Sequence, residues 1–419
     1  MKKAIFGLLA TALMIAFAGC GSGDVNPIPD KHFTNDGELK KEFAPDSAVL
    51  QCKPSAVKFF IEVSGSMNGL YRAGMKTEFR DDVYQIASRF LTDNEKVYAL
   101  ASNDGKSGFE LSLNQFAQAI RAQGFPTMGT TSIVDMIETV ISNVDTTRNE
   151  VGILVSDMKF DPDGGNNIGY QLGMYTTKIA HITAESDMAF SLVGAKSKYY
   201  DAQGNLAAEE SPYYYLVIGK SENVAKVRDE ISSILFMNKT FIDNIETGMN
   251  YGGVGFSLKK ERNCLKKDKQ PTFTGVNESS PCKIKLELFL HNYRWCQMDS
   301  AAVAESFSAK TLHGGKLKVE GIKMDTTLIN DKKQLQRMAK ATISLSISHM
   351  PNPCDVIEWS YNPCKFESST YGFTPYLGAR DWREFDKTFS LEYFLKGFFR
   401  DANLNKCSTK PNYILISKN

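Results

Sequence analysis

The chain is short of several things, and each shortage excludes a class. No run of about eighteen apolar residues occurs in its body, so a polytopic membrane protein is excluded. There is no basic excess: 49 Lys and Arg stand against 48 Asp and Glu in 419 residues, a formal net charge of +1. A nucleic-acid binder that relies on bulk charge needs such an excess, so no nucleic-acid partner is expected. Neither GxGxxG nor GxxxxGK[ST] occurs, which leaves nucleotide binding without support. CxxC is absent and there are only five histidines, so the common zinc frameworks are missing. No GxSxG elbow surrounds a serine, and Ser55-Ala56-Val57-Lys58, which matches SxxK by letters, enters a strand rather than opening a helix. No enzyme activity is therefore expected. What remains is ordinary globular material, 42% hydrophobic and 23% charged, long enough for two domains.

The first nineteen residues form a targeting signal. Lys2 and Lys3 precede an apolar run from Ala4 to Ala18, broken by Gly7 and Thr11 and too short to span a bilayer comfortably. It ends in Phe17-Ala18-Gly19-Cys20. Small residues before a cysteine resemble the lipobox of bacterial lipoproteins, with Phe17 where Leu is usual. That resemblance implies lipidation of Cys20, anchorage to the membrane through acyl chains, and a place in the bacterial cell envelope, with the outer membrane expected. Residues 20–54 are rich in Gly, Pro, Asp and Lys without an apolar period, and read as a flexible tether.

Seven further cysteines are present: Cys52, Cys264, Cys282, Cys296, Cys354, Cys364 and Cys407. Export places them where disulfides form. Six lie beyond residue 260, which leaves the pairing open; Cys264–Cys282 and Cys354–Cys364 are local options, with Cys52 as the odd one out.

Residues 55–236 alternate strand and helix. Ala56 to Val63 is a nearly continuous apolar run, as a strand covered on both faces requires. Val97–Leu100, Val151–Val155, Met188–Val193 and Tyr213–Ile218 are further strands. Helical stripes occupy 78–91, 132–144, 166–182 and 221–236, and Ser132 with Asp135 makes a capping-box-like start. Residues 195–212 read as a hairpin extension whose tyrosines pack across strands. Alternation of this kind predicts a mostly parallel sheet with helices on both sides, whose ligands bind beyond the carboxyl ends of its strands.

Those ends carry oxygen. The first strand runs into Glu62-Val63-Ser64-Gly65-Ser66, the loop before the 132–144 helix holds Gly129-Thr130-Thr131-Ser132, and the third strand of the series ends in Val155-Ser156-Asp157. Hydroxyls and carboxylates suit a hard divalent cation. Two serines spaced i, i+2 can aim at one point, with Gly65 expected to permit the turn. Glu62-x-Ser64-x-Ser66, the Gly-Thr-Thr loop and the later Asp157 resemble the metal-ion-dependent adhesion site of von Willebrand factor A (vWA) domains, over about 180 residues. The resemblance implies a Rossmann-like fold and Mg²⁺ or Mn²⁺ as cofactor. It makes Ser64, Ser66 and Thr131 direct ligands, with Thr130 as fallback, and lets Asp157 hold metal-bound water. Glu62 stands where the family has Asp, and its extra methylene weakens or displaces the ion. The Asp161-Pro162-Asp163-Gly164-Gly165-Asn166 segment lacks the ligand spacing of an EF-hand loop and reads as a turn.

Residues 237–419 change character. Period-two alternation marks strands at 283–290, 316–322, 341–347, 356–361 and 413–417, with one aromatic helical stripe at 390–402 expected to dock on the first domain. The reading is an α/β vWA-like domain followed by a β-rich, disulfide-stapled domain, for which a sandwich is expected. The expected function is that of a lipid-anchored binding or adhesion protein that presents a divalent-cation site to an acidic side chain on a protein partner. The alternative is a metal-free scaffold acting as a structural subunit of an envelope assembly.

Overall fold

The computed structural model describes residues 30–418 except 93, 102–107, 123–124, 126–131, 161–166, 278, 291–299, 326–327, 332–333, 338–339, 363–371 and 400–404. The segment expected to be a targeting signal, Cys20, Cys296, Cys364, Thr130, Thr131 and the segment 161–166 expected to be a turn lie outside the described residues.

The first unit follows the expected alternation. Its strands are β1 (Ala56–Glu62), β2 (Lys96–Leu100), β3 (Gly108–Ser112), β4 (Glu150–Ser156), β5 (Ala189–Tyr200), β6 (Leu206–Gly219) and β7 (Phe241–Thr247). Its helices are α1 (Glu78–Phe90), α2 (Leu113–Ala122), α3 (Ile133–Asn143), α4 (Ile168–Glu185) and α5 (Ser221–Asn238). One seven-stranded sheet takes the order β3-β2-β1-β4-β6-β5-β7. Strands β1, β2, β4 and β5 run the same way. Parallel pairing is confined to β2-β1-β4, and the other neighbours pair antiparallel. The reason is the β5–β6 hairpin. Its long arms lie within the sheet, so β6 enters between β4 and β5 against the prevailing direction. The sheet also extends past the expected boundary at 236 to include β7.

Both faces of this sheet are covered, as the unbroken apolar runs require. Along β1, Val57, Phe59 and Ile61 join a core with Val83 and Ile86 of α1, Phe116 of α2 and Ile231 of α5. Phe60 points the other way, to Ile133 and Ile137 of α3 and Tyr175 and Ile179 of α4. Side chains alternate across a strand, so one continuous apolar run serves two cores. Ser132 caps α3 as its sequence suggests, accepting from the Asp135 amide at 3.3 Å.

The second unit contains β8 (Asn250–Gly252), β9 (Gly255–Arg262), β10 (Leu265–Lys266), β11 (Thr272–Thr274), β12 (Cys282–Phe289), α6 (Ser300–Ser306), β13 (Phe307–Thr311) and β14 (Leu317–Asp325). It continues through β15 (Leu328–Asp331), β16 (Gln334–Arg337), β17 (Lys340–Ile347), β18 (Cys354–Tyr361), α7 (Leu391–Phe398), β19 (Lys406–Cys407) and β20 (Asn412–Ser417). Sheets β10-β11-β20-β18-β13 and β14-β17-β12-β9 share one core. Ile284, Leu286 and Leu288 of β12 belong to it with Ile357 and Trp359 of β18 and Ile414 and Ile416 of β20. Phe256 of β9 meets Trp359 edge-on at 4.9 Å. The expected sandwich is therefore present.

Two segments depart from a simple two-domain order. Residues 30–43, expected within the tether, pack on the outer face of the β18–β20 sheet, where Phe33 joins Val356, Tyr413 and Leu415. His32 stacks on Tyr413 at 4.1 Å. Three rings and one leucine spaced along an irregular stretch leave no periodic trace, which is why composition alone suggested a tether. The second segment is 372–399, which returns to the first unit. Helix α7 lies on α4 as its stripe suggests, and so closely that a Cβ on Gly397 would stand 2.5 Å from the Thr176 carbonyl oxygen. Phe373, Leu391, Phe394 and Phe398 complete the core on that face.

Candidate functional site

The site is built where β1 and β4 end side by side. Their register pairs Ile61 with Val155 and so brings Glu62 beside Ser156. Ser156 donates a short hydrogen bond to Oε2 of Glu62 inside the protein. The amide of Val63 then donates to the Leu100 carbonyl at 2.9 Å, which ties the outgoing loop to β2.

Ser64 and Ser66 follow on a tight turn, with their Oγ atoms 2.9 Å apart. They do converge, though Gly65 is not the cause. Its φ of −60° and ψ of −36° are right-handed values that any residue adopts. The glycine that matters is Gly69, where a Cβ would lie 2.3 Å from the ring of Tyr199.

Asp157 leaves β4 almost fully buried, at 2% exposure. Its Oδ1 accepts from the Lys159 amide at 3.2 Å. Its Oδ2 is buried and has no hydrogen-bond partner among the described residues. Between them Met158 holds a φ of 54°, a left-handed conformation uncommon for a residue with a side chain. Its amide is steadied by Ser156 Oγ at 2.8 Å. This kink folds the chain back on itself, and Lys159 is buried rather than exposed.

Lys159 is the residue that the sequence reading missed. It is 7% exposed. Its ammonium donates to the Trp382 carbonyl at 3.2 Å and lies 5.2 Å from the ring centre of Phe385 and 5.9 Å from that of Tyr199. Those two rings stack on each other at 4.3 Å. Burial pulls the lysine pKa down, and the carboxylates of Asp157, Glu62 and Asp386 work against that pull. The same carboxylates act on neighbouring phenols. Tyr199 is pushed up to about 12 by burial and then by Asp157. Tyr71 is raised by burial, with Glu62, Tyr199 and Asp157 adding to it.

The returning segment closes over this edge. Besides Trp382 and Phe385, Thr388 donates to the Asp157 main-chain oxygen at 3.4 Å and shares a 2.9 Å hydrogen bond with the Tyr214 hydroxyl. The Phe160 amide donates to the Phe389 carbonyl at 3.4 Å.

Of the expected ligand set, the ends of β1 and β4 set Glu62, Ser64, Ser66 and Asp157 along one edge of the sheet, with the two serine hydroxyls in contact; Thr131 lies outside the described residues. The donor chemistry cuts two ways. Two serine oxygens and an unpartnered buried carboxylate oxygen are of the class a hard cation takes. Glu62 already holds a hydrogen bond, and a lysine brings positive charge of its own. Among the described residues no group of three His, Cys, Asp or Glu side chains is placed to hold a metal ion. No helix among them is long and apolar enough to cross a membrane. Compared with protein-family models, curated proteins and solved structures, the chain matches none.

Proposed function

We propose that the chain is a non-catalytic, lipid-anchored protein of the bacterial cell envelope, in which a vWA-like unit serves binding or assembly without a metal. The buried ammonium of Lys159 supplies positive charge in the field of Asp157 and Glu62. The observation that carries this reading is the burial of that ammonium under the Trp382 carbonyl. An unpaired carboxylate is costly to bury, and a nearby cation is the usual remedy. With the edge roofed by its own chain, the partner surface lies on the outside of that roof or on the sandwich, and the unit acts as a rigid support.

A second reading has its own support in the unpartnered Oδ2 of Asp157. There Ser64, Ser66 and Asp157, with Thr131, would hold Mg²⁺ or Mn²⁺ and offer it to an acidic side chain of a partner. Thermal unfolding separates the two. The chain without residues 1–19 and with Cys20→Ser would be titrated with each ion. A ligand of the native state at 100 times its Kd stabilises by about 2.7 kcal/mol. The metal-free reading expects no shift up to millimolar ion. A saturable rise that Asp157→Asn abolishes would replace it with the adhesion reading.

A further inference from the structure

Cys264 and Cys282 occupy a constructed position. Strand β9 ends at Arg262, paired with Lys283 of β12, and the ladder is irregular between Lys283 and Ile284. Asn263 then takes a left-handed φ of 57°. Its side-chain amide donates to the Pro281 carbonyl at 2.9 Å. This pins the turn after β9 to the residue just before Cys282. Cys264 is thereby swung back over β12, with its Sγ 3.5 Å from the Arg262 oxygen and 3.8 Å from the Lys283 oxygen. The Arg262–Lys283 pairing sets Cys264 next to Cys282 where the two strands meet, and both stand there as buried free thiols. Cys354 belongs to the opposite, outer face of the other sheet, in the cluster with Phe33 and Val356.

We infer that Cys264 and Cys282 form a disulfide in the exported protein. The bond would tie β12, in one sheet of the sandwich, to the start of the crossover that carries β10 and β11 into the other. A cross-link of this kind closes a short loop and restricts the unfolded chain. The chemistry is thiol–disulfide exchange with a disulfide oxidant, small or protein-borne. The Cys264 thiolate attacks one oxidant sulfur and releases the other as a thiolate. The Cys282 thiolate then displaces the first. The protein loses two protons and two electrons, and the oxidant ends as two thiols. The Asn263–Pro281 hydrogen bond holds the turn that carries Cys264 against the residue preceding Cys282 before oxidation.

The test is peptide mapping of the full mature chain, exported in a bacterial envelope and purified without reductant. The protein is denatured in alkylating reagent, digested and weighed with and without reduction. The expected result is one linked peptide pair holding Cys264 and Cys282, two hydrogens lighter than its parts, which separates on reduction. Alkylation of either cysteine before reduction, or a link from either to another cysteine, overturns the inference. A second measurement uses Cys264→Ser, in which Cys282 should change from fully protected to fully alkylated. If Cys282 stays protected, its partner lies elsewhere and the inference fails.

Discussion

The carboxylate of Asp30 lies 2.6 Å from Nε2 of His313, with its other oxygen 2.8 Å from Nδ1 of His32. A residue at the start of the described chain is thus clamped to the sandwich 283 positions away. Burial works to raise the Asp30 pKa, but hydrogen bonds from His313 and His32 outweigh it and hold the group below 3.8. The carboxylate therefore contributes stability that is present above pH 3.8 and is lost as pH falls through the lower, folded-state value. Acid unfolding should show this loss in the wild type. Asp30→Asn should start less stable near neutrality and change less over the same acid range. Equal acid profiles for the two proteins would refute the clamp.

Lys159 gives a dependence at the other end of the scale. Its folded pKa lies below the ordinary 10.5, so the unfolded chain binds more protons between the two values. Stability then rises with pH through that window. Chemical denaturation of wild type and Lys159→Met should show a smaller gain for the variant on going from neutral pH toward 10.5. Parallel curves would mean that the ammonium is solvated.

The docking of the returning segment can be probed at one glycine. A Cβ on Gly194 of β5 would stand 2.3 Å from Cε1 of Phe373. Gly194→Ala should destabilise the protein by about 1–3 kcal/mol, the usual effect of overpacking. Adding Phe373→Leu should recover part of that loss if the two positions touch. Strict additivity in urea unfolding would separate them.

Arg228 and Glu246 form a buried ion pair between α5 and β7, and the Tyr251 hydroxyl donates to the same carboxylate at 2.7 Å. Arg228→Met alone strands a buried carboxylate and should cost about 3–5 kcal/mol. The double variant Arg228→Met with Glu246→Leu should be more stable than the single one, as read from denaturant midpoints. If the double variant is worse, the pair contributes more than the desolvation it requires.

Much of the fold was legible because the decisive patterns were local. The run Val57–Ile61 marks a doubly covered strand, the stripes at 78–91 and 132–144 mark its helices, and the alternation at 283–290 marks a sandwich strand. What escaped was set by distant partners. The β5–β6 arms read correctly as strands, yet their direction within the sheet depends on the hairpin's place between β4 and β7. The short β3 strand and α2, over 108–122, had a weak pattern and went unread. At the site, Glu62, Ser64, Ser66 and Asp157 were legible from their spacing. Lys159 was not weighed, although Met158 and Phe160 on either side signalled that the chain stays inside there. Its role depends on Trp382 and Phe385, more than 200 positions later, and no local pattern announces such a roof.

The return of Phe373 and α7 to the first unit has a consequence in time. Strand β7 ends at Thr247, whereas α7 begins only at Leu391. At roughly 5–20 residues per second, a growing chain spends about 7–29 seconds between those points. Through that interval the outer side of α4 and the hairpin lacks its covering rings. The earliest part of the protein is thus the part that must wait for the last, and its α4 face stays bare until nearly the whole chain has been made.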